Sequence, residues 1–250
     1  MGKKKIKVAF KKMSSLSIII PCYNEEGNVE PLFKRIKSLL FVDSSIEFII
    51  VDNGSTDSTN KKIISSELFK KKQIKLCCLK KNIGYGHGIM KGVYIAKSEI
   101  IGWCHADMQT DPYDLISAFK KYQSQLNTKN VVIKGRRINR NLFDSFFTST
   151  MSIIASITFM KIINDINAQP KLFHKNFLPY LKNYPFDFSL DLFFLIMAKV
   201  YNFKIINHNV LLNKRLHGTP KGGGNIIGKI KLIKRTLSYI FYLRLRLWNT

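Results

Sequence analysis

Short β-rich runs and stretches of helical periodicity alternate along the first half of the chain, and this alternation restricts the fold more than any other feature. Runs at 16–20, 47–51, 74–79 and 100–104 read as strands, the first ended by Pro21. Between them, 28–40 carries Val29, Leu32, Phe33, Ile36, Leu39 and Leu40 at the spacing of a helix with one apolar face, and 58–69 and 86–96 read as further helices. Such a series implies an α/β domain with a mainly parallel sheet and helices on both faces. A helix over 113–122, a strand over 131–133, a short segment at 171–173, a helix around 190–201 and a strand around 204–210 follow less regularly. With 250 residues, 46% of them hydrophobic, the chain can bury one full core. The economical division is a basic segment over 1–13, one domain over 14–224 ending in the linker Gly222-Gly223-Gly224, and a basic amphipathic helix within 225–250.

Lys and Arg number 41 against 16 Asp and Glu, a formal net charge of +25, which points to an anionic partner: nucleic acid, nucleotide or lipid phosphate. No acid precedes Glu25 and none follows Asp191, so a positive carboxyl-terminal end is expected. No recognised nucleic-acid-binding motif accompanies the charge, which sets nucleic acid aside. Cys22, Cys77, Cys78 and Cys104 lack zinc or disulfide spacing and fit reduced thiols in the cytoplasm. The amino terminus makes a poor secretory signal. The uncharged stretch 145–160 is rich in Ser and Thr and shorter than the roughly 20 apolar residues of a membrane span. The carboxyl-terminal helix fits two placements, packed on the domain or peripheral on the anionic cytoplasmic face of a membrane.

Ligands of parallel sheets bind at the carboxyl ends of the strands, and polar residues gather there after the first, second and fourth strands. The segments LSIIIPCYNEE (16–26), IIVDNGSTD (49–57) and HADMQTDP (105–112) resemble, in order and spacing, the three signature regions of family 2 glycosyltransferases. The similarity continues through roughly 14–224 and is most like the branch of dolichyl-phosphate mannose synthase and the bacterial polyprenyl-phosphate glycosyltransferases. It implies a Rossmann-like GT-A fold. It also implies inverting transfer of a sugar from a UDP- or GDP-sugar to a polyprenyl phosphate or another cell-envelope glycan or lipid precursor, assisted by Mg²⁺ or Mn²⁺.

A sugar nucleotide needs a flat apolar contact for its base and acceptors for base and ribose; Pro21 and Tyr23 can supply the first, Glu25 and Asp52 the second. The resemblance puts all four at donor-binding positions, with Asp57 in the same loop and Ala106 and Lys221 added. Asn82 and Gly84 belong to the run NIGYGHG (82–88), whose glycines would let backbone approach the donor; it is not a dinucleotide fingerprint, because no such loop follows the first strand.

His105-Ala106-Asp107 stands where the family usually has an Asp-x-Asp metal motif. A hard divalent cation there neutralises the departing diphosphate. By the resemblance Asp107 keeps its role and Gln109 matches a second metal-reaching position. His105 departs from the pattern: either it binds the metal as neutral imidazole, or Asp107 carries the metal with phosphate and water.

Arg136, Arg137 and Arg140, expected just after the fifth strand, match arginines that hold an acceptor phosphate, a task suited to guanidinium forks. In DINAQPKLF (165–173), Gln169 and Lys171 would face the acceptor. Asp191 matches a carboxylate near the acceptor, a general base for a hydroxyl or an orienting group if the acceptor is an ionised phosphate. RLHGTPK (215–221) resembles a late Arg-x-x-Gly-x-Ser-Lys motif with Thr-Pro-Lys at its end, making Arg215 and Lys221 cations for a phosphate. Two other readings stay open: a catalytically silent nucleotide-sugar binder, suggested by His105, and transfer to a sugar hydroxyl through Asp191.

Overall fold

The computed structural model describes residues 15–139, 142–218 and 226–248; the 1–13 segment and the glycine linker lie outside them. In chain order the elements are β1 (Leu16–Cys22), α1 (Val29–Val42), β2 (Glu47–Asp52), α2 (Thr59–Ser65), α3 (Glu67–Lys70), β3 (Lys75–Cys78), α4 (Tyr85–Ile95), β4 (Ile100–Trp103), α5 (Tyr113–Leu126), β5 (Val131–Arg137), α6 (Leu142–Phe159), β6 (Lys171–His174), α7 (Leu190–Val200), β7 (Lys204–Val210) and α8 (Ile226–Trp248). A 3-10 turn, Lys175–Leu181, follows β6. The seven strands form one sheet in the order β3-β2-β1-β4-β6-β5-β7. β6 runs antiparallel to both neighbours, and the other pairings are parallel.

The central strands β1, β2 and β4 are mostly apolar because both faces of the sheet are covered there. Side chains alternate across a strand: Ile18, Ile20, Phe48 and Ile50 pack with α1 and α5, while Ile19, Ile49 and Val51 join α4 and α7 on the other face. Each fully buried aliphatic or aromatic side chain contributes about 1.5–3 kcal/mol. α7 is buried nearly all round, as a helix apolar on every side requires. On α8, Ile240 and Leu243 are fully buried in the same cluster, so the carboxyl-terminal helix packs on the domain, while Phe241, Tyr242, Leu245 and Trp248 are exposed.

Four local differences from the sequence expectations have physical causes. The helix expected over 58–69 is two, because Ser66 leaves helical geometry (ψ 151°) and its Oγ accepts the Phe69 N–H at 3.2 Å, capping α3. Pro21 does not end β1 but lies inside it opposite Val51, one residue from the end, where a missing donor is tolerable. α5 runs on to Leu126 through a bend at Tyr122. β5 runs on to Arg137 because β7 pairs with it over its whole length, so Arg136 and Arg137 lie on the strand and not beyond it.

Candidate active site

Because β1, β2 and β4 are parallel, their carboxyl ends share one edge of the sheet, with Cys22 opposite Asp52 and Ile19 opposite Trp103. The loops after β1 and β2 are laced together there. Asn24 has left-handed backbone (φ 53°); its Oδ1 accepts the Thr56 N–H at 2.8 Å and its own N–H reaches Ser55 Oγ at 3.1 Å. The Glu25 N–H donates to Thr59 Oγ1 at 2.8 Å. Asp52 accepts the Ser55 N–H at 3.0 Å and the Asn60 amide at 2.8 Å. Asp57 accepts the N–H groups of Thr59 and Glu26; burial pushes its carboxyl up, but these bonds outweigh it and hold the group below the ordinary range. Asp57 therefore staples the loop, while Pro21, Tyr23 and Glu25 stand half-buried along its rim.

The glycine-rich run meets protein where sequence reasoning expected ligand. At Gly84 (φ 140°) a Cβ would fall 2.1 Å from the Phe186 carbonyl oxygen, and the His87 N–H donates to that oxygen at 3.1 Å. Asn82 Oδ1 accepts the Gly84 N–H at 2.9 Å and the Asn53 amide at 3.2 Å. The small side chains thus admit the segment before α7 onto the amino-terminal end of α4.

One cation lies across the end of β4. The Arg215 guanidinium, 18% exposed, is 2.6 Å from Asp107 Oδ2 and 3.9 Å from Glu25 Oε1, with Gln109 Oε1 at 3.5 Å. The other Asp107 oxygen accepts the Gln109 N–H at 3.0 Å, and the Asn213 N–H donates to the Gln109 carbonyl at 2.8 Å, fixing the loop that carries Arg215. Among the described residues no three His, Cys, Asp or Glu side chains form a metal cluster. Asp107 and Gln109 nevertheless present two hard oxygens to a single cation position, a donor set that fits Mg²⁺ or Mn²⁺ completed by ligand oxygens and water. His105 is half-buried and stacks on Tyr85, ring centroids 5.4 Å apart; Ala106 is buried between it and Asp107.

Beneath this edge lies a buried polar network centred on Asp191. Asp191, 2% exposed, receives four side chains: Trp103 Nε1 at 3.3 Å and Lys171 Nζ at 3.3 Å on Oδ1, Tyr85 Oη at 3.3 Å on Oδ2, and Gln169 Nε2 at 3.1 Å from both oxygens. Lys171 does not face the cleft. It is fully buried and also donates to the carbonyls of Ile166 at 3.0 Å and Ala168 at 2.7 Å. Burial lowers its pKa, with Asp191 pulling the other way. Burial and the neighbouring Lys171 charge push Lys134, on the adjacent strand, down to about 7. Burial, then the Asp191 charge, pushes the Tyr85 phenol well above its usual value.

Of the three arginines expected to meet an acceptor phosphate, Arg136 is exposed. Arg137 is committed to Asp165, which accepts its guanidinium and its backbone N–H. Arg140 and Lys221 lie outside the described residues. Sequence reasoning missed Tyr85, Trp103, Asn60 and Lys134. A buried indole N–H needs an acceptor, so Trp103, two residues before the motif, carries a readable signal, as does Lys134 through its strand phase with Val132.

The profile described as Glycosyl transferase family 2 matches residues 17–208. An undecaprenyl-phosphate 4-deoxy-4-formamido-L-arabinose transferase of Proteus mirabilis (strain HI4320) is 30% identical over 144 residues, 57% of this chain and 42% of that protein. A dodecaprenyl-phosphate galacturonate synthase of Rhizobium johnstonii is 25% identical over 252 residues, 92% of this chain and 67% of that protein. The chain thus spans less than half the length of the first relative. Among solved structures, glucosyl-3-phosphoglycerate synthase from Mycobacterium tuberculosis with Mn²⁺, UDP and glucosyl-3-phosphoglycerate has a TM-score of 0.67 at 14% identity, covering 92% of this chain and 80% of that one. A mannosyltransferase from Pyrobaculum calidifontis with GDP-Man and Mn²⁺ has a TM-score of 0.60 at 16% identity, covering 86% and 59%. The fold is that of the GT-A enzymes.

Proposed function

The chain belongs to glycosyl transferase family 2, and from that premise we propose that it is an inverting glycosyltransferase moving a sugar from a UDP- or GDP-sugar to a polyprenyl phosphate. The observation that carries the choice of acceptor is the saturation of Asp191. A general base needs a free lone pair aimed at the proton it takes, and this carboxylate is buried under four donors. A phosphate brings its nucleophile already ionised and needs no such base.

In this reading Pro21 and Tyr23 hold the base, and Glu25 and Asp52 the base and ribose, on a loop shaped by Asp57, with Asn82, Gly84 and Ala106 bounding the donor side. Arg215 releases Asp107 to take the diphosphate, aided by Lys221. Asp107 and Gln109 hold the divalent cation, which when bound neutralises charge on the leaving diphosphate. The acceptor oxygen attacks the anomeric carbon from the side opposite the diphosphate; the bond to the diphosphate breaks and its electron pair leaves with the nucleoside diphosphate. Arg136 and Arg140 meet the acceptor phosphate, Arg137 stays bound to Asp165, and Gln169 and Lys171 support this side from below.

No helix among the described residues is long and apolar enough to cross a membrane. Exposed Phe241, Tyr242, Leu245 and Trp248 beside Arg244 and Arg246, on a helix with no acid, support peripheral attachment to an anionic cytoplasmic leaflet.

The test is release of nucleoside diphosphate from UDP- and GDP-sugars with Mn²⁺ and a short polyprenyl phosphate. Asp107→Ala is expected to lower turnover by at least about 100-fold with an unchanged melting curve. Full activity in that variant removes the metal-holding role of Asp107; equal rates with sugar hydroxyls remove the phosphate acceptor; donor binding without release marks a silent binder.

A further inference from the structure

One side chain of the carboxyl-terminal helix reaches the acceptor side of the site. Arg235 on α8 places Nε 3.0 Å from Asp187 Oδ2, and its guanidinium carbon lies 5.6 Å from the centroid of the Phe188 ring. Both partners sit in the segment that leads into α7. The other oxygen of Asp187 accepts the Ser189 N–H at 2.8 Å, so the carboxylate that shapes the turn also receives the guanidinium. Phe188 stacks on Tyr85 with centroids 4.8 Å apart and planes 16° from parallel. Tyr85 in turn stacks with His105 and places its hydroxyl on Asp191. The same segment is pressed onto α4, where a Cβ at Gly86 would come within 2.3 Å of the Pro185 carbonyl oxygen. A second tie from α8 ends there too, Arg246 donating to the Asn183 carbonyl at 3.2 Å.

We propose that Arg235 is a positioning residue: by gripping Asp187 and Phe188 it holds the wall before α7 so that Tyr85 keeps its stack on His105 and its bond to Asp191 beneath the acceptor side. Its catalytic consequence rests on the transferase reading above; its structural part does not. The pair is partly exposed, 43% for Arg235 and 31% for Asp187, and exposed pairs add little to global stability. Positioning can therefore be separated from folding.

The deciding measurement is hydrogen exchange by mass spectrometry on the full chain, wild type against Arg235→Ala. Exchange over 84–88 and 184–191 is expected to quicken about threefold to tenfold, the range an exposed ion pair and a cation-π contact supply together, with 16–22, 47–52 and the melting curve unchanged. Arg235→Lys, which keeps the charge and loses the planar guanidinium, is expected to recover part of the protection. Unchanged exchange in both windows, or a change confined to α8, overturns the proposal. In the release assay, Arg235→Ala should raise KM for a short polyprenyl phosphate by a similar factor and leave UDP and GDP affinity alone. An inactive wild type would remove the transferase reading while exchange still decides the role of Arg235.

Discussion

The sheet edge after β1, β2 and β4 and the buried floor around Asp191 use the same residue types to opposite ends. At the edge, loops bond one another mainly through backbone N–H groups and short side chains, leaving Tyr23, Glu25, His105 and Gln109 partly open. On the floor, Gln169, Lys171 and Asp191 come from regular structure or its margins, are at most 2% exposed, and converge, with Gln169 Nε2 and Lys171 Nζ on the Asp191 carboxylate. A charged residue in a signature motif is thus assigned by the hydrogen-bonding capacity left after its protein partners are counted. By that measure Lys171 and Asp191 support the fold, whereas Glu25 and Asp107 meet at the edge on one shared cation, Arg215.

The sharpest way to break this contrast is to remove one half of the buried pair. Asp191→Ala leaves the Lys171 ammonium in the interior without its carboxylate, and truncating one partner of a buried pair costs about 3–5 kcal/mol. Urea denaturation should show that loss. Replacing both, Lys171→Met with Asp191→Leu, should recover only the part due to the unpaired ammonium, because Trp103 Nε1 and Gln169 Nε2 still lose their acceptor. If Asp191→Ala keeps wild-type stability, the floor does not depend on the Asp191 carboxylate.

Titration gives the next largest effect. Lys134 has a folded-state pKa of about 7 against an ordinary value of 10.5. Between those values the unfolded chain binds the proton and the folded chain does not, so stability rises with pH across the window; below about 7 both states are protonated and the gain is absent. Relative to Lys134→Met, wild type should gain on the order of 2 kcal/mol from about pH 7 to about pH 9. Parallel stability curves for the two proteins would mean that Lys134 stays hydrated.

The contrast also explains what could be read from the sequence. Strand and helix periodicities record which side chains are buried, so the alternation around β1, α1 and β2 announced the parallel half of the sheet and the edge where polar residues gather. The antiparallel β6 was unreadable as to direction, because a four-residue run looks alike from either end. That Gly84 makes room for the Phe186 carbonyl depends on a contact about a hundred residues away in the chain. The floor was readable and was misread by charge. Strand alternation puts Lys171 on the face of Phe173 and Lys134 on that of Val132, both buried with α7, and register sets Lys171 between Trp103 and Lys134. A lysine in phase with core residues has to be buried and paired.

The smallest predicted effect lies at the donor edge and separates loop order from fold. Asn24→Gly keeps the left-handed backbone available and removes the bonds to Thr56 on the neighbouring loop. One net hydrogen bond is worth about 1 kcal/mol, so UDP or GDP affinity measured by calorimetry should fall about fivefold while urea stability stays near wild type. Asn24→Ala loses the same bonds and adds the cost of holding a Cβ in the left-handed region, about 1–2 kcal/mol, so it should bind more weakly than the glycine variant. Should the glycine variant bind as tightly as wild type, the lacing does not order the edge for its ligand. If it instead loses as much stability as Asp191→Ala, edge and floor are one structural unit and the division between them fails.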